Sequence, residues 1–87
     1  MSDAVGIKTV VEVMAKALAD NPNDVHVVET QHKGTTLVEL YVAQIDAGKM
    51  IGRQGRTVAA LRTLASTAGE KEGKTVTLEI RDTPYKG

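Results

Sequence analysis

Two stretches with strand-like alternation, Thr35 to Ala43 and Thr75 to Arg81, are separated by residues of helical periodicity broken once, at Gly52-Arg53-Gln54-Gly55. That single break constrains the fold more than any other feature. Two strands joined through helices should run parallel with a right-handed crossover, and the glycines divide the crossover into two helices. The third strand alternates most cleanly: Val76, Leu78 and Ile80 face inward, while Thr75, Thr77, Glu79 and Arg81 face outward. In the second, Val38, Leu40 and Val42 share one face, with Leu37, Glu39 and Tyr41 on the other. This is the pattern of a sheet covered on one side and wet on the other.

The flanking segments complete the plan. Residues 4–19 carry Ile7, Val10, Val11, Met14 and Leu18 on one helical face, with Ser2 or Asp3 available to cap the start. Pro22 closes this helix by pushing Asn21 out of helical geometry. Val25 to Gln31 forms a first strand, returned by a His32-Lys33-Gly34 turn. A short helix begins near Asp46 as N-cap. A longer one spans Arg56 to Ala68, burying Val58, Leu61, Leu64, Ala65 and Ala68 and ending at Gly69. The expectation is a two-layer α+β domain ordered helix-strand-strand-helix-helix-strand, its three-stranded mixed sheet covered on one face by three helices. At 87 residues there is room for one domain, with a core of about 4–82 and a C-terminal tail at 83–87.

Composition narrows the function. The 11 basic and 11 acidic residues cancel, yet between Asp46 and Ala68 the cations Lys49, Arg53, Arg56 and Arg62 face one anion, Asp46. The balance hides a polarised molecule whose cationic part is centred on the Gly-x-x-Gly turn. Glycines there admit a sugar-phosphate chain against the backbone, and the following helix offers unpaired amides to an anion. Arg53 and Gln54 project as phosphate donors. With no Phe, no Trp and two Tyr, base recognition on aromatic platforms is excluded. The absence of Cys excludes disulfides, thiolate catalysis and Cys-ligated zinc. No apolar run approaches the roughly 20 residues of a membrane span, and no secretory signal is evident, so a cytoplasmic domain without membrane attachment is expected.

Catalytic and cofactor patterns fail. Gly48-Lys49 is followed by Met50 rather than the Ser or Thr of a nucleotide-triphosphate loop, and no dinucleotide fingerprint exists. His26 and His32 read as exposed hairpin residues with no converging metal ligands. Glu39 and Glu79 could face each other on neighbouring strands, but an open sheet face provides no pocket for acid–base chemistry. No catalytic residue, metal site or cofactor is expected.

The run Ile51-Gly52-Arg53-Gln54-Gly55-Arg56-Thr57-Val58-Ala59-Ala60-Leu61 resembles the KH-domain signature, an isoleucine-glycine pair, two variable residues, a glycine and spaced aliphatics. The element order resembles the bacterial type II arrangement. Val11 to Leu18, Gly48 to Gly55, Ala60 to Leu64 and Glu72-Gly73-Lys74 are similar to the small single-KH proteins of the KhpA (YlqC-like) family. The resemblance implies binding of single-stranded RNA, with Gly52, Arg53, Gln54 and Gly55 clamping the backbone of about four nucleotides. Ile51, Val58 and Leu61 would form an aliphatic floor for bases, and Lys49, Arg56 and Lys33 would extend the phosphate track. It also implies an RNA chaperone or post-transcriptional regulator acting as a homodimer or with a Jag-like (KhpB) KH protein. The competing reading is a protein-interaction or dimerisation module using the open sheet face and its edges.

Overall fold

The computed structural model describes residues 6–52 and 55–86. The helices are α1 (Ile7–Leu18), α2 (Gln44–Ile51) and α3 (Gly55–Lys71), and the strands β1 (His26–His32), β2 (Thr35–Tyr41) and β3 (Thr75–Arg81), with a 3-10 turn at Pro22–Asp24. The sheet order is β1-β2-β3; β1 pairs antiparallel with β2, and β3 runs parallel to it on the other side. The expected two-layer α+β order is present. The two-residue hairpin turn holds Lys33 at φ 48 and Gly34 at φ 81, the paired left-handed angles whose twist suits adjoining strands.

The core forms where the inward row of the sheet, Val27, Val38, Leu40 and Leu78, meets three helical stripes. From α1 come Ile7, Val11 and Ala15, from α2 Ala47 and Met50, and from α3 Val58, Leu61 and Ala65. Two expected core residues are exposed instead. Leu18 is 45% exposed because the contact row of α1 follows the i+4 spacing 7, 11, 15 and continues to Ala19, which packs on the core. Leu64 is 37% exposed, since the α3 row runs 58, 61, 65 and 69 and leaves it to one side. Ser2 and Asp3 lie outside the described residues. The N-cap position of α1 is Gly6, which supplies no side-chain bond. The helix ends at Leu18, ahead of Pro22, and Asn21 is non-helical at φ −119 and ψ 70.

Asp46 does not cap α2. The cap position is Ala43, and Asp46 lies in the first turn, 2% exposed, reaching the loop after α1. Its Oδ1 accepts from the Asp20 amide at 3.1 Å; its Oδ2 accepts from the Asn21 amide at 3.0 Å and from Asn21 Nδ2 at 3.3 Å. The carboxylate therefore ties the α1–β1 connection to the helix leading into the glycine turn.

Gly69 does not end α3 either. The helix runs on to Lys71 and is closed by Gly73 at φ 69. There the Lys74 amide donates to the Gly69 carbonyl at 2.8 Å and the Gly73 amide to that of Glu70 at 3.1 Å, a Schellman closure. Gly69 is a glycine for a different reason. A Cβ there would stand 2.3 Å from Val76 Cγ2 and 2.9 Å from the Lys74 carbonyl oxygen. Its absence lets α3 close against the start of β3. Gly69→Ala would gain about 1 kcal/mol of helix propensity. The clash with backbone costs about 1–3 kcal/mol, and Val76 is too stiff at χ1 to move aside cheaply. We expect net destabilisation of about 1 kcal/mol, read as a melting midpoint lower by about 4–8 °C. An unchanged or raised midpoint would refute the close approach.

Candidate nucleic-acid interface

The two helices of the crossover meet at the glycine turn. Gly52 follows α2 at φ −83 and ψ −90, its amide donating to the Gly48 carbonyl at 2.8 Å. It is a glycine through proximity, because a Cβ would sit 2.9 Å from that same carbonyl oxygen. Gly55 opens α3. Arg53 and Gln54 lie outside the described residues.

Beside the turn, Ile51, Val58, Ala59, Arg62 and Ile80 line a shallow depression of about 280 Å³. A second depression of about 370 Å³ continues from Arg62 along Ser66, Val76, Thr77, Leu78 and Glu79. Together they form a groove between α3 and the edge of β3 that β2 does not occupy. The helical spacing explains its wall. Residues 58, 61 and 65 of α3 turn to the core, and 59, 62 and 66, one position on, turn to the groove. Ile51 is 60% exposed, an aliphatic side chain left in solvent at the groove's mouth. Arg62 Nε donates to the Leu78 carbonyl at 3.4 Å, which lays the guanidinium across the junction of the two depressions.

The expected site residues separate on this geometry. Ile51 lines the groove in solvent, and Val58, 7% exposed and mostly given to the core, contributes an edge to its floor. Leu61 does not: at 1% exposure it belongs wholly to the core, so the aliphatic floor must be built without it. Ala59, Arg62 and Ile80 take its place. The inward alternation of β3 pointed to Ile80 only as core, and Arg62 was legible as charge without a direction. Arg56 is exposed at the start of α3. The Lys49 ammonium pairs with the carboxylate of Asp20, so this cation is engaged within the molecule. Lys33 is remote. It sits at the hairpin end, beside the Thr35–Thr75 row, whereas Ile80 pairs with Leu40. Five residues of strand separate the two rows, about 17 Å.

The opposite sheet face carries the paired carboxylates. Glu39 and Glu79 are direct register partners. Arg81 bridges them, with Nε 3.1 Å from Glu39 Oε2 and Nη2 2.7 Å from Glu79 Oε1. A bridged pair of this kind is a structural clamp across β2 and β3. His26 lies at the end of β1 away from the hairpin, with its ring stacked on Tyr85 at 4.4 Å, while His32 is exposed beside the hairpin. Among the described residues, no group of three His, Asp or Glu side chains could hold a metal ion. Among them, no helix is long and apolar enough to cross a membrane.

A helix, a hairpin, two helices meeting at a glycine turn and a parallel third strand, with an aliphatic groove between the last helix and the edge of that strand, define a KH domain. The family described as KhpA/KhpB, KH domain matches residues 8–80. The RNA-binding protein KhpA of Clostridium perfringens is 46% identical over 74 residues, covering 85% of this chain and 99% of its own. The RNA-binding protein KhpA of Aquifex aeolicus is 46% identical over 85% of this chain and 94% of its own, and that of Caldanaerobacter subterraneus 49% over 80% and 93%. No solved structure matches. The chain belongs to the KhpA/KhpB KH-domain family.

Proposed function

We propose that this chain binds single-stranded RNA, with the backbone held at Gly52–Gly55 and successive bases laid into the groove between α3 and β3. The observation that carries the reading is the groove itself: exposed Ile51 and Ala59, half-buried Ile80 and the edge of buried Val58 make an aliphatic wall crossed by Arg62, beginning where the glycine turn ends. Apolar contact with base faces takes over the role that aromatic stacking plays elsewhere. The N-terminus of the 17-residue α3 and the cations Arg53 and Arg56 favour the phosphates leading into it. Gly52, Arg53, Gln54 and Gly55 form the clamp, Ile51 and Val58 the floor, and Arg56 extends the phosphate track. Lys49 could join that track only by exchanging Asp20 for phosphate. The activity is binding without turnover, exercised in the cytoplasm. With one short site and no stacking platform, an isolated domain should bind in the micromolar range or weaker. Tight binding then requires a second KH surface, supplied by another copy or by a KhpB-type partner, through effective concentration. In that setting the protein acts as an RNA chaperone or post-transcriptional regulator.

The groove admits unpaired bases, whereas a duplex hides their edges. In a competition titration, single-stranded RNA should therefore displace a labelled single strand at least about tenfold more effectively than the duplex of the same sequence. Equal competition by the two forms would reduce the interaction to general charge attraction and remove the groove from the reading.

A further inference from the structure

The chain has only two Tyr, two His, and no Phe or Trp, yet three of these four rings converge at one place. His26 and Tyr41 are register partners on β1 and β2, on the face of the sheet that the helices leave open. The C-terminal segment after β3 brings Tyr85 over them. Tyr85 stacks on His26 at 4.4 Å with planes 18° apart, and meets Tyr41 at 5.4 Å with planes 58° apart. The tilt makes a two-walled aromatic corner rather than a closed stack. The corner opens into a cavity of about 390 Å³, whose wall also includes Asp24 from the 3-10 turn ahead of β1, Gln44 from the start of α2, and Asp82, Thr83 and Pro84 from the tail. Among the described residues, no Lys or Arg lines it. The nearest cation in register, Arg81, is occupied by Glu39 and Glu79.

Ring faces carry negative quadrupoles, and two carboxylates share the same wall. The cavity is therefore complementary to an organic cation that can lie flat against a ring. It is hostile to phosphate, which sets it apart from the groove on the other side of the sheet. We propose that this corner receives an arginine side chain of a partner protein. Arginine fits better than lysine because its planar guanidinium can stack on Tyr41 or Tyr85 while its N–H groups reach Asp24 or Asp82. A protein-borne arginine fits better than a free ion because the same open face continues past the corner through half-buried Val28 and Leu37, apolar surface that a peptide chain can cover.

The test is NMR titration of the whole protein with a capped Gly-Arg-Gly peptide, following the ring protons of His26, Tyr41 and Tyr85. The controls are the citrulline analogue, which keeps the shape and loses the charge, and spermidine. The arginine peptide should move all three rings and bind at least about fivefold more tightly than the citrulline peptide. Tyr85→Ala should weaken the arginine peptide by about fivefold. Asp24→Asn combined with Asp82→Asn should do the same. Tyr85 lies in the tail at 42% exposure, so its truncation leaves the core intact, and single-stranded RNA binding should be unchanged in both variants. Equal binding of the citrulline peptide, tighter binding of spermidine, or perturbation of these rings by single-stranded RNA instead of by the peptide would each overturn the proposal.

Discussion

Replacing Asp46 with alanine should lower the free energy of unfolding by about 3 kcal/mol, a large fraction of the ~4–13 kcal/mol expected for a domain of this size. The side chain is 2% exposed and accepts two backbone amides and one side-chain amide from Asp20 and Asn21. Hydrogen bonds to a charged acceptor are worth about 1.5–3 kcal/mol each. The loss stays well short of three such bonds because Asp20 and Asn21 are exposed and water can reach their amides once the carboxylate is gone. Asp20→Ala gives the contrast. It removes only the pair with Lys49, whose side chains are 42% and 63% exposed, and such surface pairs contribute about 0–1 kcal/mol. Asp46→Asn should fall between, since its oxygen can still accept one amide while its nitrogen faces the other. Equal unfolding midpoints for Asp46→Ala and Asp20→Ala in urea would show that Asp46 does not carry the joint. The joint matters beyond stability, because it fixes α2, and α2 delivers Ile51 and Gly52 to the mouth of the groove.

Asp46 also shows what a sequence can and cannot disclose. An aspartate just ahead of a helical run reads as a cap, a local role decided by neighbours three residues away. Its actual partners are 25 and 26 residues distant, and no periodicity encodes a contact across that span. Gly69 has the same lesson. A glycine near the end of an apolar stripe reads as a C-terminal glycine, whereas its reason is the approach of β3 at Val76. Features resting on local repeats were legible: the alternation of β2 and β3, the presence of the hairpin around Lys33-Gly34, and the break between α2 and α3. From those the parallel crossover and the strand order followed. The site was half legible. The glycine turn and its cations stand out in the sequence, as does Ile51. The groove wall does not, because which of Val58, Ala59, Leu61 and Arg62 faces solvent depends on how α3 is rotated against the sheet. A rotation of one residue, about 100°, exchanges Leu61 for Arg62. Tyr85 is the extreme case. A lone tyrosine in a polar tail gives no sign that it closes over His26 and Tyr41.

Replacing both Arg53 and Gln54 with aspartate should weaken binding of single-stranded RNA by about a hundredfold or more while leaving the fold intact. Under the proposed clamp these residues donate to phosphate, and losing two hydrogen bonds to a charged acceptor, at about 1.5 kcal/mol each, already corresponds to about a hundredfold. The two new carboxylates add repulsion. From a micromolar starting point the variant would bind too weakly to detect in ordinary anisotropy titrations. Circular dichroism and the melting midpoint should change little, because a charged and an amide side chain flanked by glycines are residue types that cores rarely take up. Salt dependence supplies the second measure. For single strands the logarithm of affinity falls with the logarithm of salt by about 0.7 per phosphate neutralised. Two or three contacts from Arg53, Arg56 and Arg62 then give a wild-type slope of about −1.5 to −2. Removing Arg53 alone, as Arg53→Gln, should flatten that slope by about 0.7 while retaining a hydrogen-bond donor, so charge and hydrogen bonding are separated within one series. Undiminished binding by a folded Arg53→Asp/Gln54→Asp variant would sink the clamp. A wild-type slope much steeper than −2 would mean that RNA is also held by cations outside the turn and groove, with Lys49 released from Asp20 the first to examine.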